Sequence, residues 1–512
     1  ALERVAAGDT TLHEIERLWH AEALPALPAA QRPPAKPTVT AVAEVQFPGP
    51  SIAVLPFVNM GGHEEDQYFS DGITDDIIAS VSGIRDLRVI SRTSVMRYRD
   101  LARTLREIGE DLKVESVLEG SVRRSGDRVR IVAQLYDTRT DRNLWTETYD
   151  RGLEDIFAIQ SDVAQRIAAA LEARLTPRER ENIERRPTSS LEAYDLYLRG
   201  RFLWNKRTEE ALRQSIEYYR QALSLDPDCA PALAGLADAY VTLGIYGAER
   251  PIEAMRLARA AAENALTIDP VMAAVRTTLG CVRAVHDWDW PAAEADFQRA
   301  IEADPAYPTA HHWYAVNLLM PLGRFDEAAA ELHHALGLEP LSLPVLTSKG
   351  ILAYYARDYG RAMEECRRVI DLDNGFAMAH FFLGQSCEQA GMPSEAIQAL
   401  QTAVRLSGGS SETMAGLAHA LAVQGQSADA RALLQQLGER AERVYVSPAL
   451  LAIAHLGLGE EDEALTLLEQ ACDVRAADMI WINERPTFDA IRPHPRFARL
   501  VERMGFPRPR TS

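Results

Sequence analysis

Three carboxylates, Asp71, Asp75 and Asp76, fall within YFSDGITDDIIASV, residues 68–81. Acids crowded in this way can ligate a metal, divide the work of a general acid and base, or sit where a helix N-terminus favours negative charge. A metal needs converging oxygens, and the neighbours Asp75 and Asp76 point in different directions on a helix. An acid/base pair needs carboxyls facing each other across a cleft. Asp71 and Asp75 are one turn apart on one helix face, where like charges repel. The spacing therefore predicts a helix start, with Ser70 or Asp71 as N-cap, Gly72 allowing a tight entry, and the acids opposing the positive helix end.

Other residue types give weaker chemistry. LEGSVRRSGDRVR places Arg123, Arg124, Arg128 and Arg130 on alternating strand positions or a turn. A solvated strand face is the plainer reading of these arginines, and a phosphate or nucleotide patch is the sharper one. His311–His312 and His333–His334 are adjacent pairs whose members diverge, a poor geometry for zinc. Trp288 and Trp290 in HDWDWP fit a helix–helix turn as packing residues. No GxSxG, HExxH or Cys/His nucleophile pattern occurs, nor a P-loop, an HRD or a DFG. We expect no catalytic residue, no metal and no cofactor in this chain.

The elements that position these residues follow from pattern. The chain has 512 residues, 47% of them hydrophobic and 25% charged, as expected for a multidomain globular protein. A net charge of −19 disfavours general nucleic-acid binding, which needs a basic face. The five cysteines are far apart and read as reduced core residues in a reducing compartment. No apolar run is long enough to span a membrane. The first residue is Ala1 rather than Met, so a processed product or a piece of something longer is expected.

Residues 1–20 read as a short helical remnant and 21–50 as a proline- and alanine-rich linker. From Ser51 the order β-α-β-α-β-β-β-α predicts a compact α/β domain with a mixed sheet over 51–176. After a connector over 177–190, strand signals stop. Pro270, Pro305 and Pro340 recur every 35 residues, and Asn374 follows 34 later. A period near 34 with paired amphipathic helices is the tetratricopeptide signature, here about eight helix pairs over 191–472. Ala328, Ala335, Gly384, Ala396 and Ala403 occupy the small positions where paired helices touch. Residues 473–512 read as a capping segment, with Phe497, Leu500 and Met504 on one helical face. The fold class is α+β: an N-terminal compact α/β domain with a mixed sheet, then an all-α tetratricopeptide solenoid.

Several motifs together, IAVLPF, YFSDGITDDII, LRVISRTSV, VLEGSVRR, RIVAQLYDTRT and NLWTETYDR, resemble the TolB N-terminal-like (FlgO-like) domain. In bacterial regulatory proteins that module precedes tetratricopeptide repeats. The resemblance implies a recognition surface where its motifs concentrate: Ser70, Asp71, Gly72, Asp75, Glu119, Gly120, Arg123 and Arg124. Relatives carry Ser/Thr kinase, adenylate cyclase or winged-helix domains upstream. Separately, ALERVAAGDTTLHEIERL resembles the C-terminal end of type II secretion and type IV pilus assembly ATPases.

The expected function is a non-enzymatic protein–protein interaction scaffold or regulatory module of a bacterial signalling or assembly protein, cytoplasmic, with a protein partner. A periplasmic face is the alternative if an anchor lies upstream, and the oligomeric state is left open. The concave face of the repeats is the expected groove, through Trp313, Asn317, Thr347, Ile351, Tyr354, Met378, Phe381, Gln385 and Glu388. The alternative is the regulatory C-terminal part of a larger enzyme (secretion-type ATPase, Ser/Thr kinase or adenylate cyclase) whose catalytic domain lies upstream of Ala1.

Overall fold

The β-branched run Ser51–Val54 forms β1, buried along its length at the centre of a sheet. The computed structural model describes residues 49–61, 66–99, 103–247 and 249–507. The expected helix over 1–20 and the linker, save its last two residues, lie outside the described residues. Strand β2 (Val58–Asn59) continues the line of β1, and β3 (Arg88–Ile90) pairs with β1 in parallel. Strands β4 (Ser116–Ser125), β5 (Arg128–Asp137) and β6 (Asn143–Gly152) form an antiparallel meander. The sheet order is β3-β1-β4-β5-β6, with β1 and β2 both parallel to β4, so the sheet is mixed. The β4–β5 hairpin turns on two residues, with Gly126 at φ 57°, a backbone angle that glycine adopts without steric cost.

Helices cover the sheet. They are α1 (Gln67–Ser82), the one-turn α2 (Arg92–Val95), α3 (Leu105–Leu112) and α4 (Ile156–Ala170). Thr104 and Glu107 close a capping box at the start of α3. A second box, Thr176 with Glu179, starts α5 (Pro177–Glu184) within the expected connector.

The start of α1 corrects the expectation drawn from its acids. Its N-cap is Asp66, which makes no side-chain cap bond, and Ser70 and Asp71 lie in the second turn. The physical reason is upstream: Tyr68 and Phe69 are 6% and 2% exposed, so the helix must begin before them to bury both.

From Leu191 to Asp473 the chain forms eight consecutive helix pairs. These are α6 (Leu191–Asn205) with α7 (Glu209–Leu225), and α8 (Ala230–Ile245) with α9 (Pro251–Ile268). Next come α10 (Ala273–Val282) with α11 (Trp290–Ala303), and α12 (Pro308–Tyr314) with α13 (Phe325–Leu338). Then follow α14 (Leu343–Tyr355) with α15 (Tyr359–Leu372), and α16 (Ala377–Gln389) with α17 (Pro393–Leu406). The last are α18 (Ser411–Val423) with α19 (Ser427–Ala441), and α20 (Pro448–Gly457) with α21 (Glu461–Asp473). Proline at the first turn of several helices fits the missing N–H and fixed φ that a helix start tolerates.

Small residues set the approach within pairs. Ala328, Ala335 and Ala403 are fully buried, and a Cβ on Gly384 would lie 2.6 Å from Leu400 Cγ. Each pair leaves an apolar face that its neighbour covers, so one continuous core runs along the solenoid.

Beyond α21 come two turns of 3₁₀ helix, Ala477–Trp481 and Pro486–Ile491, and then α22 (Pro495–Arg503). Phe497, Leu500 and Met504 are buried, and Arg496 grips Glu469 of α21 with two bonds of 2.9 and 2.7 Å. The two turns do not simply extend the stack. They run back to the third, fourth and fifth pairs.

Candidate functional site

The acidic stretch on α1 is a buried joint. Asp71 is 3% exposed and takes Arg99 at 2.5 Å, Arg92 at 3.5 Å and the Gln67 side-chain amide at 2.8 Å. Arg92 also pairs with Asp75 at 2.6 Å, through an N–H that is not aimed well enough to form a hydrogen bond. Burial raises the Asp75 carboxyl above its ordinary range, and Arg92 and Arg201 oppose that rise. Asp76 turns the other way, accepting from Gln160 at 2.9 Å and from the Tyr194 hydroxyl of α6. Burial pushes Asp76 up to about 6, against those hydrogen bonds. Asp71 and Asp75 thus repel less than their spacing suggests, because one guanidinium serves both.

Gly72 does not serve a tight entry, since it sits within the helix. A Cβ there would lie 2.6 Å from Leu198 Cδ2, so its bareness lets α1 lie close against α6. Ser70 is buried, and its carbonyl accepts from Thr74 Oγ1 at 2.9 Å. Gly72 therefore lies where the sheet unit meets the first repeat helix, while Ser70, Asp71 and Asp75 take their bonds and ion pairs within the sheet unit.

Arg124 belongs to the same seam. It donates to Asp195 of α6 at 2.6 Å and to the Tyr68 hydroxyl at 3.1 Å, and its guanidinium lies 5.0 Å from the Phe69 ring centroid. Arg199 reaches Asp195 at 2.9 Å and Tyr68 at 3.0 Å. Burial, with the bond to Asp195, raises the Tyr68 hydroxyl to about 12. Arg128 pairs with Asp150, so two arginines of this hairpin, Arg124 and Arg128, are matched by carboxylates.

The remaining motif residues lie elsewhere on β4. Glu119 stands opposite Gln134 in the ladder, and burial raises its carboxyl. Gly120 leaves room for the Phe57 ring, 2.6 Å from where its Cβ would be. Arg123 donates to the Met60 carbonyl at 3.2 Å.

Sequence reasoning missed the partners Arg92, Arg99, Gln160, Tyr194 and Asp195. The polar and aromatic crowding of AYDLYLRGRF in α6 was the available signal, on a helix whose neighbours bury its Tyr194 and Leu198. Further ties run to the turns between pairs. Ser91 bonds Glu339 at 2.5 Å and the Leu338 carbonyl at 3.3 Å, and Arg185 pairs with Asp269 at 2.6 Å.

The expected groove is corrected in part. Trp313, Asn317, Ile351 and Met378 are half-buried on α12, α14 and α16 and keep some exposed surface. Asn317 lies in a π-helical turn, Ala315–Leu319, that continues α12. Thr347, Tyr354, Phe381 and Gln385 are 1%, 1%, 1% and 4% exposed and present no binding face. Successive first helices pack along the inner wall, so these positions fall on the seam between helices. Tyr354 packs edge-on to Tyr355, and Phe381 fills the space beside Gly416. Glu388 is held by His419 Nδ1 at 2.6 Å.

His311 bonds Glu331 at 2.6 Å while His312 bonds Ser348 at 2.9 Å, so the pair does diverge. Among the described residues no group of three or more His, Cys, Asp or Glu could hold a metal ion. Nor is any described helix long and apolar enough to cross a membrane.

Comparison with known proteins agrees with this architecture. Residues 197–229, 347–411 and 388–446 match tetratricopeptide-repeat models, so the solenoid contains tetratricopeptide repeats. Residues 49–169 match the model of the HilA/YgeH-like transcriptional regulator, second domain. A Rhizobium meliloti protein named "Putative adenylate cyclase 3" is 40% identical over 237 residues, 46% of this chain and 40% of that protein. The transcriptional regulator HilA of Salmonella typhimurium is 24% identical over 167 residues, 33% of this chain and 30% of that protein. The chain thus spans less than half the length of these curated relatives. The solved structure "Human IFIT1 dimer with m7Gppp-AAAA" aligns at 16% identity and a TM-score of 0.44, over 62% of this chain and 78% of that one.

Proposed function

We propose that this chain is the non-catalytic, protein-binding regulatory arm of a bacterial signalling polypeptide. One observation carries the reading. The chain shares sequence with a protein named as an adenylate cyclase and with one named as a transcriptional regulator, over 40% and 30% of their lengths. What proteins with such different outputs have in common is more simply a regulatory part than either output. We read residues 51–176 as a TolB-like module, 177–190 as its connector, 191–472 as the repeat solenoid and 473–512 as its closing segment. The setting is cytoplasmic, with a protein rather than a nucleic acid as partner. On this reading a partner segment lies along the inner wall against Trp313, Asn317, Ile351 and Met378.

A cyclase upstream is the second reading, favoured by the 40% match. An antibody against the repeats, used on cells that make the native protein, tests the two. A band near the 56.7 kDa of this chain supports a stand-alone adaptor. A band larger by a domain, with nucleotide cyclisation in the immunoprecipitate, supports the arm of an enzyme. For the partner itself, Trp313→Ala with Met378→Ala should abolish capture of that partner from the same cells. Unchanged capture by the folded double variant would reject the inner wall.

A further inference from the structure

Several donors around the first repeat pair lack an acceptor. On α6, Arg201, Trp204 and Asn205 fall at i, i+3 and i+4 and share a face. The Trp204 indole N–H and the Asn205 side-chain amide are buried without a hydrogen-bond partner, and so is the Tyr219 hydroxyl of α7. Tyr219 is wedged between Gly200 of α6 and Gly235 of α8, where a Cβ would stand 2.6 and 2.5 Å from its ring. Burial raises its hydroxyl well above the ordinary value, against the Arg201 charge, so it stays a donor.

Two guanidiniums crowd the same indole. Arg207, in the turn after α6, lies 3.5 Å from the Trp204 ring centroid, and Arg201 lies 4.8 Å from it. Desolvation lowers the Arg207 guanidinium, and the charge of Arg201 adds to that effect. The carboxylates at hand are already engaged. Asp238 of α8 is 6% exposed, accepts from Thr278 of α10 at 2.6 Å and stands 3.9 Å from Arg201, beyond hydrogen-bond reach. Asp75 pairs with Arg92 at 2.6 Å, and Asp76 is taken by Gln160 and Tyr194. Arg207 donates to a hydroxyl, Thr242 Oγ1 at 3.3 Å. The Arg201 guanidinium makes no hydrogen bond among the described residues, and its side chain keeps 32% exposure.

Other partly buried guanidiniums of this chain do have a carboxylate in bonding contact. Arg99 has Asp71, Arg124 and Arg199 share Asp195, and Arg283 has Asp296. At Arg201 and Arg207 the surroundings supply donors, a second positive charge and an opening to solvent. What is missing is an acceptor that carries negative charge. A single carboxylate, added to that of Asp238, balances the two guanidiniums. A phosphate would bring up to two negative charges beside a buried aspartate, which like-charge repulsion opposes. Because α6, α8 and α10 are first helices of their pairs, a segment lying along the inner wall passes this place.

We propose that Arg201 and Arg207, set on the Trp204 ring with the Asn205 amide beside them, form a binding site for a carboxylate on an acidic segment of a partner protein. The proposal rests on the reading that a protein segment lies along the inner wall. It places the acidic part of that segment at the first three pairs, ahead of Trp313 and Met378.

The test is a titration of the full chain with a fluorescein-labelled hexaglutamate peptide, read by anisotropy. The net charge of −19 repels such a peptide, so saturable binding reports a local site. Wild type should bind hexaglutamate at least tenfold more tightly than hexaglutamine. Arg207→Gly should weaken hexaglutamate binding at least tenfold. Residue 207 stands at φ 57°, which glycine adopts without strain, so the fold is kept. Arg201→Lys keeps a positive charge beside Asp238 but loses the planar fork, and should weaken binding at least threefold. No saturable binding by wild type overturns the proposal. So does equal binding by wild type and the two folded variants, which would leave these donors to ordered water. Stronger competition by inorganic phosphate than by glutarate overturns the assignment to a carboxylate. Trp313→Ala with Met378→Ala should leave hexaglutamate binding unchanged, and a loss there as large as in Arg207→Gly would move the site to the later pairs and overturn it. The titration uses no native partner, so this site can stand where the capture experiment fails, and the reverse.

Discussion

Gly72 on α1 and Leu198 on α6 face each other so closely that a Cβ on the glycine would lie 2.6 Å from the leucine Cδ2. The contact joins the sheet unit to the first repeat helix, with the salt-bridged acids of α1 beside it. Overpacking such a seam costs about 1–3 kcal/mol, because neither backbone can retreat without breaking other contacts. Gly72→Ala should therefore lower stability by that amount in urea denaturation. Leu198→Ala in the same chain should return part of the loss, giving a favourable coupling in the double-mutant cycle. Strictly additive effects would mean that the two helices are not in contact in solution.

The Arg92 pairings predict an order of damage. Asp71 and Asp75 have side chains only 4% and 14% exposed, whereas Arg92 and Arg99 keep 24% and 32%. Removing Arg92 leaves two buried carboxylates with less to face, at a cost of about 3–5 kcal/mol. Removing Asp71 leaves guanidiniums that can turn towards water, at about 1–3 kcal/mol. Arg92→Ala should thus be the worse of the two by chemical denaturation. The reverse order would place the acids, not the arginine, nearer to solvent.

Asp76 predicts a pH effect with a definite sign. Burial lifts its carboxyl from an ordinary 3.8 to about 6 in the folded chain, against bonds from Tyr194 and Gln160. A raised carboxyl takes up a proton on folding. Its stabilising contribution is complete below the unfolded value and is lost as pH rises through about 6. Asp76→Asn removes this term while keeping an oxygen acceptor for the same two donors. Between pH 5 and 7.5 the variant should gain about 1–1.5 kcal/mol relative to wild type. Thermal melts at the two pH values would show it, and parallel shifts of both proteins would refute it.

How much of this was legible follows from distance along the chain. The repeats declare themselves locally, because Pro270, Pro305 and Pro340 and the small residues of each pair recur at the period of the structure. The strand order was legible too, since β4 and β5 are joined by the short turn at Gly126. The role of Asp71, Asp75 and Asp76 was not. Their partners Arg92, Arg99 and Tyr194 are 17 or more residues away, and local spacing cannot place them. The groove failed at Thr347, Tyr354, Phe381 and Gln385 for another reason. A first helix in a solenoid has both a solvent face and a seam, and one repeat's pattern does not tell them apart.

That division between seam and solvent gives the last prediction. Phe381 is 1% exposed and fills the space beside Gly416, so Phe381→Ala opens a cavity and should cost about 3–5 kcal/mol. Trp313 on α12 and Met378 on α16, the helix that also carries Phe381, keep exposed surface, so truncating them loses only part of their burial. Their alanine variants should each cost less than about 2 kcal/mol. Denaturant midpoints of the three single variants test the order. If Trp313→Ala costs as much as Phe381→Ala, the tryptophan is core, and the inner wall offers a partner no aromatic anchor. If the order holds, loss of partner capture in Trp313→Ala with Met378→Ala reports on a surface rather than on unfolding.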